Sequence, residues 1–227
     1  MKGVKEEFSK AKVKACISYV KRNKHVQQKK AKVFSEDYLR SVIDELQSDD
    51  DILAIRNKAL LLICYFGALR GSELLNLHIN DIYSYEDNGG IGLRIRSSKT
   101  NQYGKEDLRY IPVSPNKNYC PVTSIKKLLQ ALPKTESSPL FRSTTNSNTF
   151  KATSLSKSRF YKICKELLGE EYSTHSMRIS HVTNGKINGA SDSELMQQTK
   201  HKSPQMIREY TQFHDIRMHN SANRLLL

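Results

Sequence analysis

Apolar positions along this chain follow two rhythms, and the change from one to the other outlines the fold. From Phe34 the spacing is helical. Ser35 stands where an N-cap is wanted, and Tyr38, Leu39, Val42, Ile43 and Leu46 mark one helix face. Asp49-Asp50-Asp51 then places acid where a helix dipole favours it. Residues 52–66 are apolar on most sides, which predicts a buried central helix stopped at Gly67, with a short helix over 71–77 behind it. The period next falls to two. Residues 82–85, 91–96 and 109–113 alternate as strands, with Asn88-Gly89-Gly90 as a turn and residues 100–107 as a polar loop. Pro121, a favoured first helical residue, restarts the helical rhythm over 122–132. Residues 137–139 and 143–149 read as loop. Further helices are expected over 154–168, 176–188, 193–199 and 204–210, the first two stopped by Gly169 and Gly189 and the last capped by Ser203. The stretch 214–227 is amphipathic and ends Leu225-Leu226-Leu227. This pattern predicts an α+β chain, mostly helical, with one small three-stranded antiparallel sheet.

Charge separates the first thirty residues from the rest. They hold ten Lys or Arg and two Glu, a net of +8 out of +14 for all 227 residues. Phe8, Ala11, Ala15, Ile17, Tyr19 and Val20 give them a weak helical stripe. The reading is a basic helix over 4–22 and a linker over 25–32, so that residues 1–32 form an arm and 33–227 a main domain. A basic excess this large calls for a polyanion, and double-stranded DNA or RNA is the usual one. The longest apolar run, residues 59–69, is too short to span a membrane, and the charged N-terminus does not read as a secretion signal. Cys16, Cys64, Cys120 and Cys164 lack metal-ligand spacing and read as free thiols of a reducing, intracellular compartment.

Three short motifs carry chemistry. In His175-Ser176-Met177-Arg178 the i, i+3 spacing sets an imidazole and a guanidinium side by side on one helix face. Arg70, in Gly67-Ala68-Leu69-Arg70-Gly71-Ser72-Glu73-Leu74, follows the most apolar helix of the chain. A guanidinium there wants an anion, and Glu73 can hold it from behind. In Lys200-His201-Lys202-Ser203-Pro204, cap and proline fix the start of a helix in which Tyr210 lies two turns in. Each motif alone is common on protein surfaces.

In order, with Ser98-Lys99-Thr100 on the sheet hairpin and the strand Tyr110-Ile111-Pro112-Val113 after it, these segments resemble the tyrosine recombinase (phage-type integrase) family, its catalytic domain. The likeness runs from Phe34 to the C-terminus and implies a fold of the DNA breaking-rejoining type. It implies a catalytic set of Arg70, Lys99, His175, Arg178, His201 and Tyr210, with Glu73 orienting from behind. It also implies strand transfer through a 3′-phosphotyrosine without metal, ATP or other cofactor. The implied partners are double-stranded DNA and further copies of the chain on it, from dimer to tetramer. Membrane attachment is not implied, and the expected location is inside the cell with the DNA, or in the nucleus or a viral factory for a eukaryotic host. Related activities that share the residues are a type IB topoisomerase-like relaxer and a telomere resolvase; a non-cleaving DNA-binding protein of the same fold is the rival of another class.

Physical chemistry assigns the same roles. Attack on a phosphodiester adds negative charge to its non-bridging oxygens, which two forked guanidinium groups can hold. A tyrosine hydroxyl, with a reference pKa of about 10, needs nearby cations or a base to act as nucleophile. The 5′ oxygen leaves poorly unless protonated, and the Lys99 amine can deliver the proton. His201 is expected to donate to the phosphate. Lys21, Arg22, Lys24, Lys29, Lys30, Lys105 and Lys202 are the expected DNA-backbone contacts. His181, His214 and His219 read as packing or solvated histidines. Two departures from the family stand out. Where the family carries a separate core-binding domain, the basic segment reads either as the tail of such a domain or as a substitute DNA arm, and Lys200 stands in place of the glycine common before the second histidine.

Overall fold

The computed structural model describes residues 10–23, 31–46, 51–85, 89–96, 107–133, 138–201 and 203–211. The chain divides into two units, residues 1–30 and 31–227. In the first, α1 spans Lys10–Asn23.

The second unit is organised around α3 (Ile52–Phe66). Asp51 caps it, Oδ1 accepting from the Leu53 amide at 2.8 Å. Ala59, Leu60, Leu61, Ile63 and Cys64 are wholly buried, which explains why this helix has no polar face. Packed around it are α2 (Glu36–Glu45), whose cap Ser35 accepts from Tyr38 N at 3.1 Å, α5 (Pro121–Ala131), with proline in its first turn, and α7 (Thr174–Ile187). Chain entry is pinned to α7. The Phe34 amide donates to Ser180 Oγ at 2.9 Å, and Asn184 Nδ2 donates to the Phe34 carbonyl at 3.2 Å.

The three-stranded antiparallel sheet is present, with order β1 (Ile82–Ser84), β2 (Ile91–Arg94), β3 (Leu108–Ile111) and registers Ile82↔Leu93 and Leu93↔Arg109. Alternation along β3 turns Arg109 and Ile111 inward and leaves Leu108 and Tyr110 exposed. One expectation fails. Part of the segment read as loop over 143–149 belongs to a second, two-stranded sheet of β4 (Arg142–Thr144) and β5 (Phe150–Ser154). These strands are rich in Ser, Thr and Lys, so no apolar alternation announces them; pairing with each other holds them instead. Ser154, read as a helix start, ends β5. Its hydroxyl donates to the Leu75 carbonyl at 2.8 Å, and Ser156 caps α6 (Lys157–Leu168) instead.

Short helices complete the unit. They are α4 (Gly71–Leu75) after the turn that leaves α3, then α8 (Asp192–Thr199) and α9 (Pro204–Tyr210). Val182 of α7, Leu195 of α8 and Ile207 of α9 form a small separate core, which seats α9 beside α7. Ser203 makes no side-chain cap bond. Among the described residues no helix is long and apolar enough to cross a membrane.

Candidate active site

Two turns and one helix build the site. The first turn, at residues 67–70, is tight. A Cβ on Gly67 would lie 2.8 Å from the Ile63 carbonyl oxygen, and Ala68 adopts φ 46°, the left-handed region that L residues enter at a cost. This geometry delivers Arg70 to the cap position of α4. Glu73, third in that helix, reaches back: Oε2 accepts the Arg70 amide at 2.9 Å and Oε1 accepts Arg70 Nη1 at 2.6 Å. Its carboxylate is buried, whereas the Arg70 side chain keeps 23% of its surface exposed. Glu73 therefore fixes the guanidinium from inside and leaves part of it open.

Helix α7 supplies His175 and Arg178. His175 is exposed in the first turn, and Arg178, one turn on, is wholly buried. Arg178 donates from Nη1 to the Ala68 carbonyl, and from Nη2 to the Thr199 carbonyl and to His201 Nε2 at 2.9 Å. The two turns and the helix are thus joined through one guanidinium. An arginine has only donors, so His201 Nε2 must be an acceptor. The proton then sits on Nδ1, which donates to Thr199 Oγ1 at 3.0 Å, while that hydroxyl donates to the Leu195 carbonyl at 2.6 Å. The expected donation from His201 to a phosphate would need Arg178 to release Nε2 and the ring proton to move there.

The same proximity shapes the electrostatics. Partial desolvation by the surrounding protein first, then the cations Arg178 and Arg70, push His175 below the ordinary imidazole value. Burial, then Arg178, Arg70, His175 and Arg109, push His201 down to about 3. His201 is only 5% exposed and is neutral at pH 7. The sign for stability follows. Its folded pKa lies below the free value of 6.5, so on acidification the unfolded chain binds a proton that the folded chain refuses. Stability is complete above pH 6.5 and is lost as pH falls from there toward about 3. At pH 5 the expected loss from this group is about 2 kcal/mol. Denaturant unfolding of wild type and His201→Gln at pH 7 and pH 5 checks this, and equal losses in both proteins would contradict it.

The second turn explains the missing glycine. Lys200, at the C-terminal end of α8, adopts φ 53°, ψ 41°. Its amide donates to the Met196 carbonyl at 2.7 Å, which closes the helix and aims the chain at His201. Glycine enters this region without strain. The Lys200 ammonium lies 4.0 Å from Asp107 Oδ1 and is partly exposed, a contact worth little. Lys200→Gly is therefore expected to raise stability by about 0.5–1 kcal/mol in thermal unfolding. A lower stability would mean that the contact with Asp107 outweighs the backbone strain.

Arg70, Glu73, His175, Arg178 and His201 are thus gathered at one place. Tyr210 is the last residue of α9, three positions after the buried Ile207; its side chain lies outside the described residues, as do Lys24, Lys29, Lys30, Lys99, Lys105 and Lys202. Lys21 and Arg22 lie on α1, where only the helix itself is described. Three participants were not singled out by motif. Thr199 fixes the His201 ring, and Asp107 and Arg109 form a buried pair on β3's inner side, with Nη1 to Oδ1 at 2.5 Å. A sign of Arg109 exists in the sequence: it stands in phase with Ile111 on the apolar face of its strand. Thr199 leaves no such sign.

A profile described as the phage integrase family matches residues 32–217. An integrase/recombinase xerD homolog of Selenomonas ruminantium is 27% identical over 220 residues, covering 94% of this chain and 63% of that protein. The chain therefore spans less than two thirds of the length of this curated relative. Solved structures share the fold. The XerH site-specific recombinase bound to palindromic difH substrate superposes with a TM-score of 0.65 at 18% identity, over 87% of this chain and 54% of that one. XerA recombinase gives 0.62 at 19% identity over 99% and 79%.

Proposed function

Because the chain belongs to the phage integrase family, we propose that it cuts and rejoins double-stranded DNA as a site-specific recombinase, with Tyr210 as nucleophile. The observation that carries this reading is the wholly buried Arg178, planted between the Ala68 and Thr199 carbonyls in a site that also holds Arg70, His175 and His201. A cation buried at such cost, beside a second one that stays open, suits an anionic substrate.

In this reading Arg178 and Arg70 hold the non-bridging oxygens of the scissile phosphate, and Glu73 keeps Arg70 aimed. Arriving phosphate takes the Nη2 donor that His201 now accepts, and the imidazole proton moves to Nε2 to donate in turn. Tyr210 Oη attacks phosphorus and gives up its proton, for which His175, held below the ordinary imidazole value and so neutral, is the proposed acceptor. The bond from phosphorus to O5′ breaks, and Lys99 protonates the leaving oxygen. The products are a 3′-phosphotyrosine and a free 5′-hydroxyl, so rejoining is the reverse attack and requires neither metal nor ATP. Copies of the chain would assemble on DNA, dimer to tetramer, with residues 214–227 reaching a neighbour. Its place is inside the cell with the DNA.

The test is a nicked suicide duplex, from which the short strand beyond the break diffuses away. The full chain with chelator and no nucleotide should become covalently attached to DNA on a denaturing gel. Failure on duplexes that it binds specifically would overturn the reading. Residues 1–30 are proposed to contact phosphates. Their removal takes away a net charge of +8 and should weaken DNA binding and flatten the slope of log K against log salt. An unchanged slope would place that charge off the DNA.

A further inference from the structure

Among the described residues, Arg109 is a buried cation near this site that the proposed reaction does not use. It is 0% exposed on the inner side of β3. Nη1 reaches Asp107, but Nε and Nη2 have no partner among the described residues. An arginine so placed is expensive twice over, for a buried charge and for two unmet donors. An apolar residue, like its neighbour in phase Ile111, would satisfy the packing. Its surroundings suggest why a cation stands there instead. Ile111, two positions on, lies close to Gly67, where an added Cβ would come within 3.3 Å of its Cδ1; Gly67 opens the turn that carries Ala68 and Arg70. The Tyr110 carbonyl, next to Arg109, accepts from Gln198 Nε2 at 2.9 Å, and the same amide donates to the Phe66 carbonyl at 2.9 Å. This bridge ties β3 to the end of α3 and to α8. Arg109 is thus held against the elements that present Arg70 and His201. Its charge acts on that site: burial first, then Asp107 and Glu73, then Arg70 move its own titration, and it in turn acts on His201.

A charge count gives the consequence. With both histidines neutral, Arg70, Arg109, Arg178 and Lys200, which lies 4.0 Å from Asp107, face Glu73 and Asp107, a net of two positive charges. Without Arg109 that excess falls by half, and what remains is the partly exposed, solvent-screened Lys200 ammonium. We propose that Arg109 is a positioning residue of the phosphate seat, acting through Glu73 and Arg70 to keep the seat cationic without touching the DNA. The inference rests on the proposed recombinase reading and extends it to a residue buried behind the seat.

The experiment compares cleavage of a scissile phosphodiester with that of a scissile methylphosphonate, in which a methyl group replaces one non-bridging oxygen and removes the negative charge. Folding is checked by thermal unfolding. Arg109→Gln, which can still hydrogen-bond Asp107, should slow phosphodiester cleavage by about tenfold or more, with the loss shrinking toward none on the methylphosphonate. Arg109→Lys, which keeps the charge, should lose less than Arg109→Gln on the phosphodiester. A residue that only supports packing would give equal losses on both substrates, and that result overturns the proposal. If Arg109→Gln does not fold, Asp107→Asn reads the same field from the other side. The preference for phosphodiester over methylphosphonate should then rise, and a fall overturns the proposal. Arg178→Ala, run in parallel, separates the two levels. If Arg178→Ala also loses equally on both substrates, the phosphate seat itself is wrong, and Arg109 falls with it. If Arg178→Ala is rescued and Arg109→Gln is not, only the role of Arg109 is lost.

Discussion

Tyr210→Phe is expected to abolish the covalent protein–DNA adduct while leaving DNA affinity within about twofold of wild type. The substitution removes one oxygen, and that oxygen is the proposed nucleophile. The geometry makes the result specific. Ile207 is buried against Val182 and Leu195, so α9 is seated against the helix that carries His175 and Arg178 whatever residue stands at position 210. A phenylalanine there should leave this packing intact. Suicide-substrate gels and a binding titration, run on the same preparations, measure both quantities. An adduct persisting in Tyr210→Phe would move the nucleophile to another tyrosine, with Tyr172 or Tyr161 next. Tyr172 is buried in contact with Phe34 and Tyr38, whereas Tyr161 is 45% exposed.

Arg178→Ala should have the second largest effect, and a double one. As a donor to the developing charge it should contribute about 3 kcal/mol to the barrier, a rate loss of more than a hundredfold. As the link between the Ala68 carbonyl, the Thr199 carbonyl and His201, it should also cost about 1–3 kcal/mol of stability when those buried acceptors lose their donor. Single-turnover cleavage below the unfolding temperature of the variant separates the two. A strand with sulfur in place of the bridging 5′ oxygen sharpens the assignment. A thiolate leaves without a proton, its parent thiol having a pKa of about 8.5, so Lys99→Ala should regain speed on that strand. Arg178→Ala should not, because its proposed work is on the non-bridging oxygens. Arg178→Ala cleaving ordinary DNA within about twofold of wild type would remove it from the site.

What could be read in advance depended on whether the determinant was local. α3 was legible to the residue because Asp51 and Gly67, its punctuation, lie beside the residues they govern. The main sheet was legible because one of its faces is buried and so alternates. The β4–β5 hairpin was not, since Ser143, Thr144, Lys151 and Thr153 carry no apolar period. The start of α6 was blurred by three serines, at 154, 156 and 158, of which tertiary packing engages the first with Leu75 and leaves the second to cap. The site divides the same way. Arg70 with Glu73 and His175 with Arg178 are pairs one helical turn apart, visible as spacing. The seat of Arg178 depends on carbonyls 110 residues before it and 21 after it, and no pattern along the chain encodes that.

The central claim is that the chain becomes esterified through Tyr210 to the 3′ side of the break. The direct measurement is to trap the adduct on a suicide duplex, digest protein and DNA, and sequence the phosphonucleotide-bearing peptide by mass spectrometry. The account predicts one modified peptide, with the phosphate on Tyr210 joined to a 3′ nucleotide, and a free 5′-hydroxyl on the released strand. A modified residue other than Tyr210, a linkage to the 5′ side, or specific binding with no adduct would contradict it.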